Sequence, residues 1–281
     1  MNKMILTLIA LVLACQSLLA PQVSADGIFP DKNLEAVVRQ SVFEKRNNEE
    51  PIVEDDVVNI STIVGKGKGI KDLTGLEKCR SLALLDLEGN EIETIDAIKE
   101  LNNIQSLDLS KNKIKDIKPV EGLTKLQYVQ LEGNEIADIG PLAKLENVRS
   151  LYLSKNQIKE LTPLAELTKI WSLYLAGNQV EDIKPLAKLK SLDSLDLRGN
   201  AVSDISPLAA LTEWKYLFLD NNRISDLQTL ITMGKKDQDG SQRFAFFWNV
   251  YLTGNPLSDT AQKTQLDELK KVAKSVTFKE G

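Results

Sequence analysis

Hydrophobic residues recur along the middle of this chain with a fixed period of 22 residues. Each period contains a segment such as SLDLSKNKI (106–114), in which leucine alternates with polar residues and an asparagine follows. These ladder asparagines are Asn90, Asn112, Asn134, Asn156, Asn178, Asn200 and Asn222. Self-similarity at such a period is typical of a solenoid, in which neighbouring coils stack on one another. Most residues in this region can therefore be placed by their offset from the nearest ladder asparagine.

The alternation before each ladder asparagine predicts a short strand with one buried side and one side in solvent. Apolar residues lie eight, five and three positions before the asparagine, and two, five, eight and eleven positions after it. Stacking would pair the strands in a parallel sheet and merge the apolar columns into one core. The asparagine is expected to point inward and to bond backbone groups of its own coil and the next.

A second polar column consists of acidic residues four positions after the ladder asparagine, as at Asp116, Asp138 and Asp182. Prolines such as Pro119 follow three positions later. Repeated carboxylates are compatible with metal or acid–base chemistry. However, an aspartate that caps the free N–H groups of a short helical turn, with proline in its first turn, explains both columns. We therefore predict no metal ligands in this column.

Both ends of the repeat region depart from the period. Residues 26–58 contain an amphipathic pattern with Asp31 as its predicted N-cap, which indicates a helical N-terminal cap over the first coil. Residues 258–281 contain a second apolar stripe and predict a helical C-terminal cap.

Residues 59–257 comprise about nine coils, and the last is displaced by an 11-residue insertion near 232–246. After this insertion the offsets place Phe247 in the core and Trp248 on the surface.

The first 25 residues are typical of a secretory signal peptide, with an apolar run over 4–14 and small residues at 23–25 before the cleavage site. The run is too short to favour a transmembrane span. The residues around Cys15 are also compatible with a bacterial lipoprotein signal, in which Cys15 would be lipidated. We expect a secreted, periplasmic or cell-envelope protein. A lipoprotein anchored at Cys15 is the alternative, and only in that case is a membrane partner expected.

Composition narrows the possible functions. The chain carries a net charge of −5, so a nucleic-acid partner has no electrostatic support. It contains no histidine, which removes the commonest general base and metal ligand. We therefore predict a non-enzymatic protein without cofactor or metal. After signal cleavage only Cys79 remains, at a core offset that predicts burial rather than reactivity.

The 22-residue phrase, the D-I-x-P-L segments that follow it, and the cap sequence FPDKNLEAVV (29–38) resemble bacterial internalin-like leucine-rich-repeat proteins. The resemblance covers residues 28 to about 257. It implies an α/β repeat solenoid, namely a right-handed leucine-rich-repeat horseshoe. The parallel β-sheet would line the concave face, short helical turns the convex face, and helical caps both ends.

The resemblance also implies a protein-binding concave face. No immunoglobulin-like domain or cell-wall sorting motif follows the repeats in this sequence, so the host-adhesion role of the best-known members is not expected here.

The candidate binding residues follow from the same offsets. Side chains two, four and six positions before the ladder asparagine should face outward on the concave side, and all five tyrosines occupy these columns. Tyr152 and Tyr174 should stack, because adjacent strands lie about 4.8 Å apart. Solvent-facing aromatic residues are frequent interface hot spots, although strands also favour them for cross-strand packing. The predicted partner-binding residues are Tyr128, Tyr152, Trp171, Tyr174, Asp196, Tyr216, Phe218, Trp248 and Tyr251.

These observations predict an exported, monomeric scaffold that binds a protein or peptide on its concave face. A carbohydrate-binding surface module remains the alternative, because rows of tyrosine and tryptophan also stack on sugar rings. The same columns of the first coils carry Asp86, Glu88 and Asp108, which favour a partner with a basic end. A solvated acidic surface that aids solubility explains these carboxylates equally well.

Overall fold

A computed structural model describes residues 27–279 of the chain. Its centre is a single sheet of ten parallel strands that follow one another in chain order. The strands are β1 Thr62–Val64, β2 Leu84–Asp86, β3 Ser106–Asp108, β4 Tyr128–Gln130, β5 Ser150–Tyr152, β6 Ser172–Tyr174, β7 Ser194–Asp196, β8 Tyr216–Phe218, β9 Asn249–Tyr251 and β10 Ser275–Thr277. From β1 to β8 each residue pairs with the residue 22 positions later, so the sequence period is the register of the sheet. The predicted leucine-rich-repeat horseshoe is confirmed.

Short 3-10 turns return the chain from one strand to the next. They span Leu76–Lys78, Asp96–Ile98, Lys118–Val120, Gly140–Lys144, Thr162–Leu164, Lys184–Lys188 and Ser206–Ala210, with a last one at Ala245–Phe247. The Asp116 carboxylate accepts a hydrogen bond from the Lys118 N–H at 2.7 Å, and a proline follows in the first turn. The aspartates of four further coils make the same bond. The acidic column therefore caps the turns, as predicted.

The apolar columns form one continuous core that runs from Phe29 to Val272. Cys79 lies within it and is fully buried. Burial raises the pKa of the Cys79 thiol to about 12, so the thiol stays protonated and unreactive at neutral pH. The prediction of a structural cysteine is confirmed.

Each ladder asparagine joins two coils through its side-chain amide. In Asn134, Oδ1 accepts a hydrogen bond from the Ile114 N–H at 3.0 Å, and Nδ2 donates to the carbonyls of Leu109 and Leu131 at 3.0 Å each. Ile114 and Leu109 belong to the preceding coil, whereas we predicted a bond to the following coil. The other ladder asparagines repeat this arrangement. The Asn134 amide is buried and both of its functional groups are bonded, which makes a polar core residue tolerable.

The N-terminal end of the core is closed by helices α1 (Lys32–Ser41) and α2 (Glu54–Val57). Asp31 is the N-cap of α1, and one of its carboxylate oxygens accepts from the Leu34 N–H at 3.0 Å. The other oxygen accepts from the Lys71 N–H at 2.8 Å, so one side chain ties the helix to the first coil.

The insertion lengthens the return path after β8 into helix α3 (Gln228–Asp239). At its C-terminal end the Asp237 carboxylate accepts hydrogen bonds from the N–H groups of Arg243, Phe244 and Ala245 at 2.9, 3.0 and 2.9 Å. One carboxylate thereby holds the loop that leads into β9.

The burial of the two residues that precede β9 is the reverse of the prediction. Phe247 is 62% exposed, whereas Trp248 is 0% exposed and packs edge-on against Phe244 at 5.4 Å between ring centroids. The placement of Phe247 in the core and Trp248 on the surface was therefore wrong. The loop held by Asp237 changes the approach to the strand, and the larger Trp248 ring fills the core position.

The C-terminal end consists of a π-helical turn (Ala261–Gln265), helix α4 (Leu266–Val272) and strand β10. Strand β10 was not predicted, because the Ser275–Thr277 segment has no ladder asparagine after it. Within residues 27–279, no helix is long and apolar enough to cross a bilayer. The predictions of a signal peptide over residues 1–25 and of lipidation at Cys15 lie outside the described residues.

Candidate functional site

The candidate site is the solvent-facing side of the sheet. Because the strands pair in register, residues at the same offset in neighbouring coils lie side by side: Gln130 pairs with Tyr152, and Tyr152 pairs with Tyr174. Most of these side chains are half-buried by their neighbours along the row. The sheet therefore places the predicted aromatic residues in contact.

The first aromatic group consists of Tyr128, Tyr152 and Tyr174. The ring centroids of Tyr128 and Tyr152 are 5.4 Å apart with planes inclined by 45°, and those of Tyr152 and Tyr174 are 4.8 Å apart and inclined by 12°. Partial burial raises the pKa of the Tyr128 and Tyr174 hydroxyls, so both stay neutral hydrogen-bond donors at physiological pH.

Trp171 lies on the rim where β6 begins, and it is 48% exposed. Its Nε1 donates to the Ser150 hydroxyl at 2.9 Å, which fixes the orientation of the indole. The Arg149 guanidinium lies 5.9 Å from the ring centroid. This geometry leaves part of the indole open to a ligand while its polar atom is already bonded.

The second aromatic group consists of Tyr216, Phe218 and Tyr251. Tyr216 and Phe218 are nearly parallel at 6.0 Å and 6°, and Phe218 and Tyr251 stack at 4.6 Å and 19°. The Arg198 guanidinium lies 4.9 Å from the Phe218 ring centroid. The second group thus combines apolar area with a cation.

Asp196 lies between the two groups, but it is only 1% exposed. Arg198 covers it, with Arg198 Nε donating to Asp196 Oδ1 at 2.9 Å, and this ion pair raises the pKa of the guanidinium. The prediction that Asp196 faces solvent was wrong, and the half-exposed Arg198 side chain is the charged group available there. Residues two apart in a strand face the same side, so the offset places Arg198 beside Asp196 but does not show that Arg198 covers it.

Trp248 does not belong to the site, because it is buried in the core. Besides Tyr251, the residues before β9 offer two exposed aromatic side chains, Phe246 and Phe247, which are 52% and 62% exposed. The repeat offsets could not identify them, because Phe246 lies within the insertion that interrupts the period and Phe247 follows it directly.

The acidic residues of the first coils form a compact cluster. Carboxylate oxygens of Asp86, Glu88 and Asp108 lie within 4.8 Å of one another. Lys66 Nζ lies 2.9 Å from Asp86 and 3.0 Å from Glu88, and Lys111 Nζ lies 2.7 Å from Glu88. Burial and the neighbouring carboxylates raise the pKa of Asp108. Two lysines thus neutralise much of the charge that the sequence places here.

Comparison with known proteins agrees with this architecture. The family profile described as Leucine Rich repeats (2 copies) matches residues 102–144, 146–188, 172–210 and 190–232. The crystal structure of internalin C2 from Listeria monocytogenes is similar at 29% sequence identity and a TM-score of 0.68, over 90% of this chain and 95% of that chain. The chain is an internalin-like leucine-rich-repeat protein.

A leucine-rich-repeat protein of Leptospira interrogans shares the fold at 20% identity and a TM-score of 0.54, over 71% of this chain and 56% of that chain. Comparison with curated protein sequences finds no match. Leucine-rich-repeat scaffolds of this kind are typical of protein-interaction domains, and internalin-like proteins are generally non-enzymatic.

Proposed function

We propose that this internalin-like protein is exported and binds a protein or peptide partner on the aromatic side of its sheet. The observation that carries the proposal is the pair of stacked aromatic groups on a solvent-facing surface, built from six residues of five strands. Clustered tyrosine and phenylalanine offer large contact area with little side-chain entropy to lose. A rigid sheet holds them in place before any partner arrives, which reduces the entropic cost of association.

The stacking geometry favours a polypeptide over a sugar. The middle ring of each group, Tyr152 or Phe218, contacts another ring on either side. A sugar that stacks on an aromatic residue needs a free ring face, whereas these middle rings offer their edges, and Tyr152 offers its hydroxyl. Ring edges pack against apolar side chains, and tyrosine hydroxyls bond peptide groups.

A photo-crosslinking experiment tests the proposal. A benzoylphenylalanine at position 152 should crosslink to one discrete protein from the culture medium or cell envelope of the source organism. The same probe at Gln157, an exposed residue of the same coil outside the aromatic groups, is the matched control. Replacing Tyr152 and Tyr174 by alanine should lower the affinity for the captured protein at least about 30-fold, since hot-spot aromatic residues contribute about 2 kcal/mol or more to binding.

Equal crosslinking at both positions would contradict binding at the aromatic groups. Specific retention of a glycan on an array, lost in the same double variant, would instead assign the site to carbohydrate. Circular dichroism of the double variant verifies that the fold is retained.

Export is supported by the apolar run and small-residue cleavage site near the N-terminus. Mass spectrometry of protein from the source cells tests it directly. A mature N-terminus at Asp26 supports signal cleavage, and a lipid-modified Cys15 supports an anchored lipoprotein. A cytosolic protein that retains residues 1–25 would contradict both forms of export.

A further inference from the structure

The strand-start rim is a second surface, formed by the side chains seven and nine positions before each ladder asparagine. Before strands β4 to β8 this rim carries four cations and two acids. The cations are Lys125, Arg149, Lys169 and Lys215, and the acids are Asp193 and Glu213. The rim is therefore basic in a chain whose net charge is −5.

Both rim acids are neutralised by ion pairs, with Lys215 Nζ 2.7 Å from Asp193 and Arg243 bound to Glu213. The other three cations form no salt bridge within residues 27–279: Lys125 and Lys169 donate to asparagine oxygens at 2.8 Å, and Arg149 lies over Trp171. Three positive charges therefore remain uncompensated on neighbouring coils, beside an exposed indole.

A shallow depression in this rim is lined by Gln105, Lys125, Gln127, Asn147 and Arg149. Its lining combines two uncompensated cations with three amides, all of which can donate hydrogen bonds. Guanidinium groups recognise carboxylates through paired hydrogen bonds, and such charge-assisted bonds are stronger than neutral ones. Trp171 lies at the edge of the depression, because its ring is 5.9 Å from the Arg149 guanidinium. The site therefore matches an anionic group that is adjacent to an apolar one.

We propose that the strand-start rim binds an acidic peptide segment, with a carboxylate between Lys125 and Arg149 and a neighbouring aromatic or aliphatic side chain against Trp171. The inference rests on the proposed function, because it names the chemistry of the partner. It also differs from the partner with a basic end, which was one of the two explanations of the acidic columns in the sequence. The Asp86 cluster that suggested a basic partner is bridged by lysines, whereas three of the four rim cations form no salt bridge within residues 27–279.

A peptide fits this surface better than an anionic polysaccharide does. The uncompensated cations end at Lys169, and the exposed residues that follow toward β9 include the aromatic Tyr216 and Phe247. Strands β6 and β9 are three strand spacings apart, or about 14 Å, which about four residues of extended peptide can span. A polysaccharide with one anionic group per sugar would require cations along the whole row.

Selection from a phage library of random 12-residue peptides tests the proposal with the full exported protein as bait. Enriched sequences should place aspartate or glutamate beside an aromatic or aliphatic residue. The tightest peptide should bind the Lys125→Ala/Arg149→Ala double variant about 10-fold more weakly, and its affinity should fall with added salt. Trp171→Ala should weaken it by about 10-fold or more.

The matched control is the Lys144→Ala/Lys188→Ala double variant, which removes the same charge from exposed lysines on the return turns. Its affinity for the selected peptide should equal that of the unmodified protein. Binding also has a direct optical signal, because Trp171 is exposed while Trp214 and Trp248 are buried. The selected peptide should protect Trp171 from acrylamide quenching.

Three outcomes of the binding measurements would overturn the rim proposal: enrichment of basic or uncharged peptides, equal weakening in the control variant, or no enrichment together with retention on heparin. If the natural partner still crosslinks at position 152 in the Lys125→Ala/Arg149→Ala variant with unchanged yield, the proposed function stands and the rim proposal fails.

Discussion

The rings of Tyr152 and Tyr174 lie face to face, with centroids 4.8 Å apart and planes inclined by 12°. The two residues are register partners on adjacent strands, and their ring spacing equals the usual spacing of strands in a sheet. The backbone therefore imposes the stack, and no ligand is needed to assemble it. The aromatic surface is therefore preorganised, and its side chains lose little conformational entropy when a partner binds.

The contact between the Tyr152 and Tyr174 rings should appear as a coupling energy in the free energy of unfolding. Tyr152→Ala and Tyr174→Ala, measured singly and together by urea unfolding, should show about 0.5–1.5 kcal/mol of non-additivity. Tyr152 and Tyr251 belong to different groups, so the cycle on that pair should be additive within about 0.5 kcal/mol. Equal coupling in both cycles would mean that the rings do not interact through direct contact.

The ladder asparagines should contribute strongly to stability where they are fully enclosed. Asn134→Ala leaves the Ile114 N–H without a partner inside the core. The carbonyls of Leu109 and Leu131 each lose one hydrogen bond but keep another, from Asn112 and Asn156. The unsatisfied N–H costs about 1–3 kcal/mol and each lost hydrogen bond about 0.5–1.5 kcal/mol, so we expect a loss of about 3 kcal/mol in the free energy of unfolding.

Asn200 provides the matched comparison for that change. It makes the same bonds, to Val180, Leu175 and Leu197, but it is only partly buried. Water can reach the groups that Asn200→Ala exposes, so the loss should be smaller than for Asn134→Ala. A larger loss at position 200 would contradict the argument from burial.

The burial of Trp248 and the exposure of Phe247 before β9 predict opposite effects of the two alanine substitutions. Trp248→Ala removes a fully buried ring and should cost about 3–5 kcal/mol. Phe247→Ala changes a ring that is 62% exposed and should alter stability by about 0.5 kcal/mol or less. Chemical denaturation of both variants checks this. Reversed magnitudes would restore the register predicted from the sequence offsets.

The Asp237 loop should make stability depend on pH in acid. Burial alone would raise the pKa of Asp237, but the N–H groups of Ala245, Arg243 and Phe244 hold the pKa below its ordinary value of 3.8. A depressed pKa stabilises the folded state above the unfolded pKa, and this contribution is lost as pH falls through the folded pKa.

Asp237→Asn should therefore lower the free energy of unfolding by about 1–3 kcal/mol at pH 7, because the amide cannot accept all the bonds of the carboxylate. The difference from the unmodified protein should remain constant down to about pH 5 and shrink below about pH 4. Thermal unfolding at pH 7, 5 and 3 measures it. A difference that grows in acid would contradict the conclusion that the pKa of Asp237 is lowered in the folded protein.

The repeat region was accessible from the sequence because its constraints are local and repeated. Leu107 and Val129 occupy the same offset in consecutive coils, and stacking at that offset is what pairs them. The contact between Tyr152 and Tyr174 followed from the same rule. The predicted exposure of Asp196 was wrong because it depends on Arg198, whose side chain can turn either toward Asp196 or toward solvent. An offset defines the direction of a side chain but not which neighbour covers it.

Reasoning from repeat offsets did not predict the structure around the insertion or the pairing of the charged side chains. Phe247 and Trp248 exchanged roles because the loop held by Asp237 sets the approach to β9. These bonds join residues of the insertion to the residues just before β9, where the period is interrupted, so the repeat offsets do not show them. The Asp86 cluster looked acidic because its lysine partners lie on other coils, 20 or more residues away.

The sequence by itself determined the solenoid, the sheet register, the core columns and the placement of every tyrosine on one side of the sheet, because each depends on spacing along the chain. Only the tertiary structure decided which charges remain free and which aromatic rings stay exposed. Those properties depend on contacts between side chains of different coils, and such contacts form only once the coils have stacked.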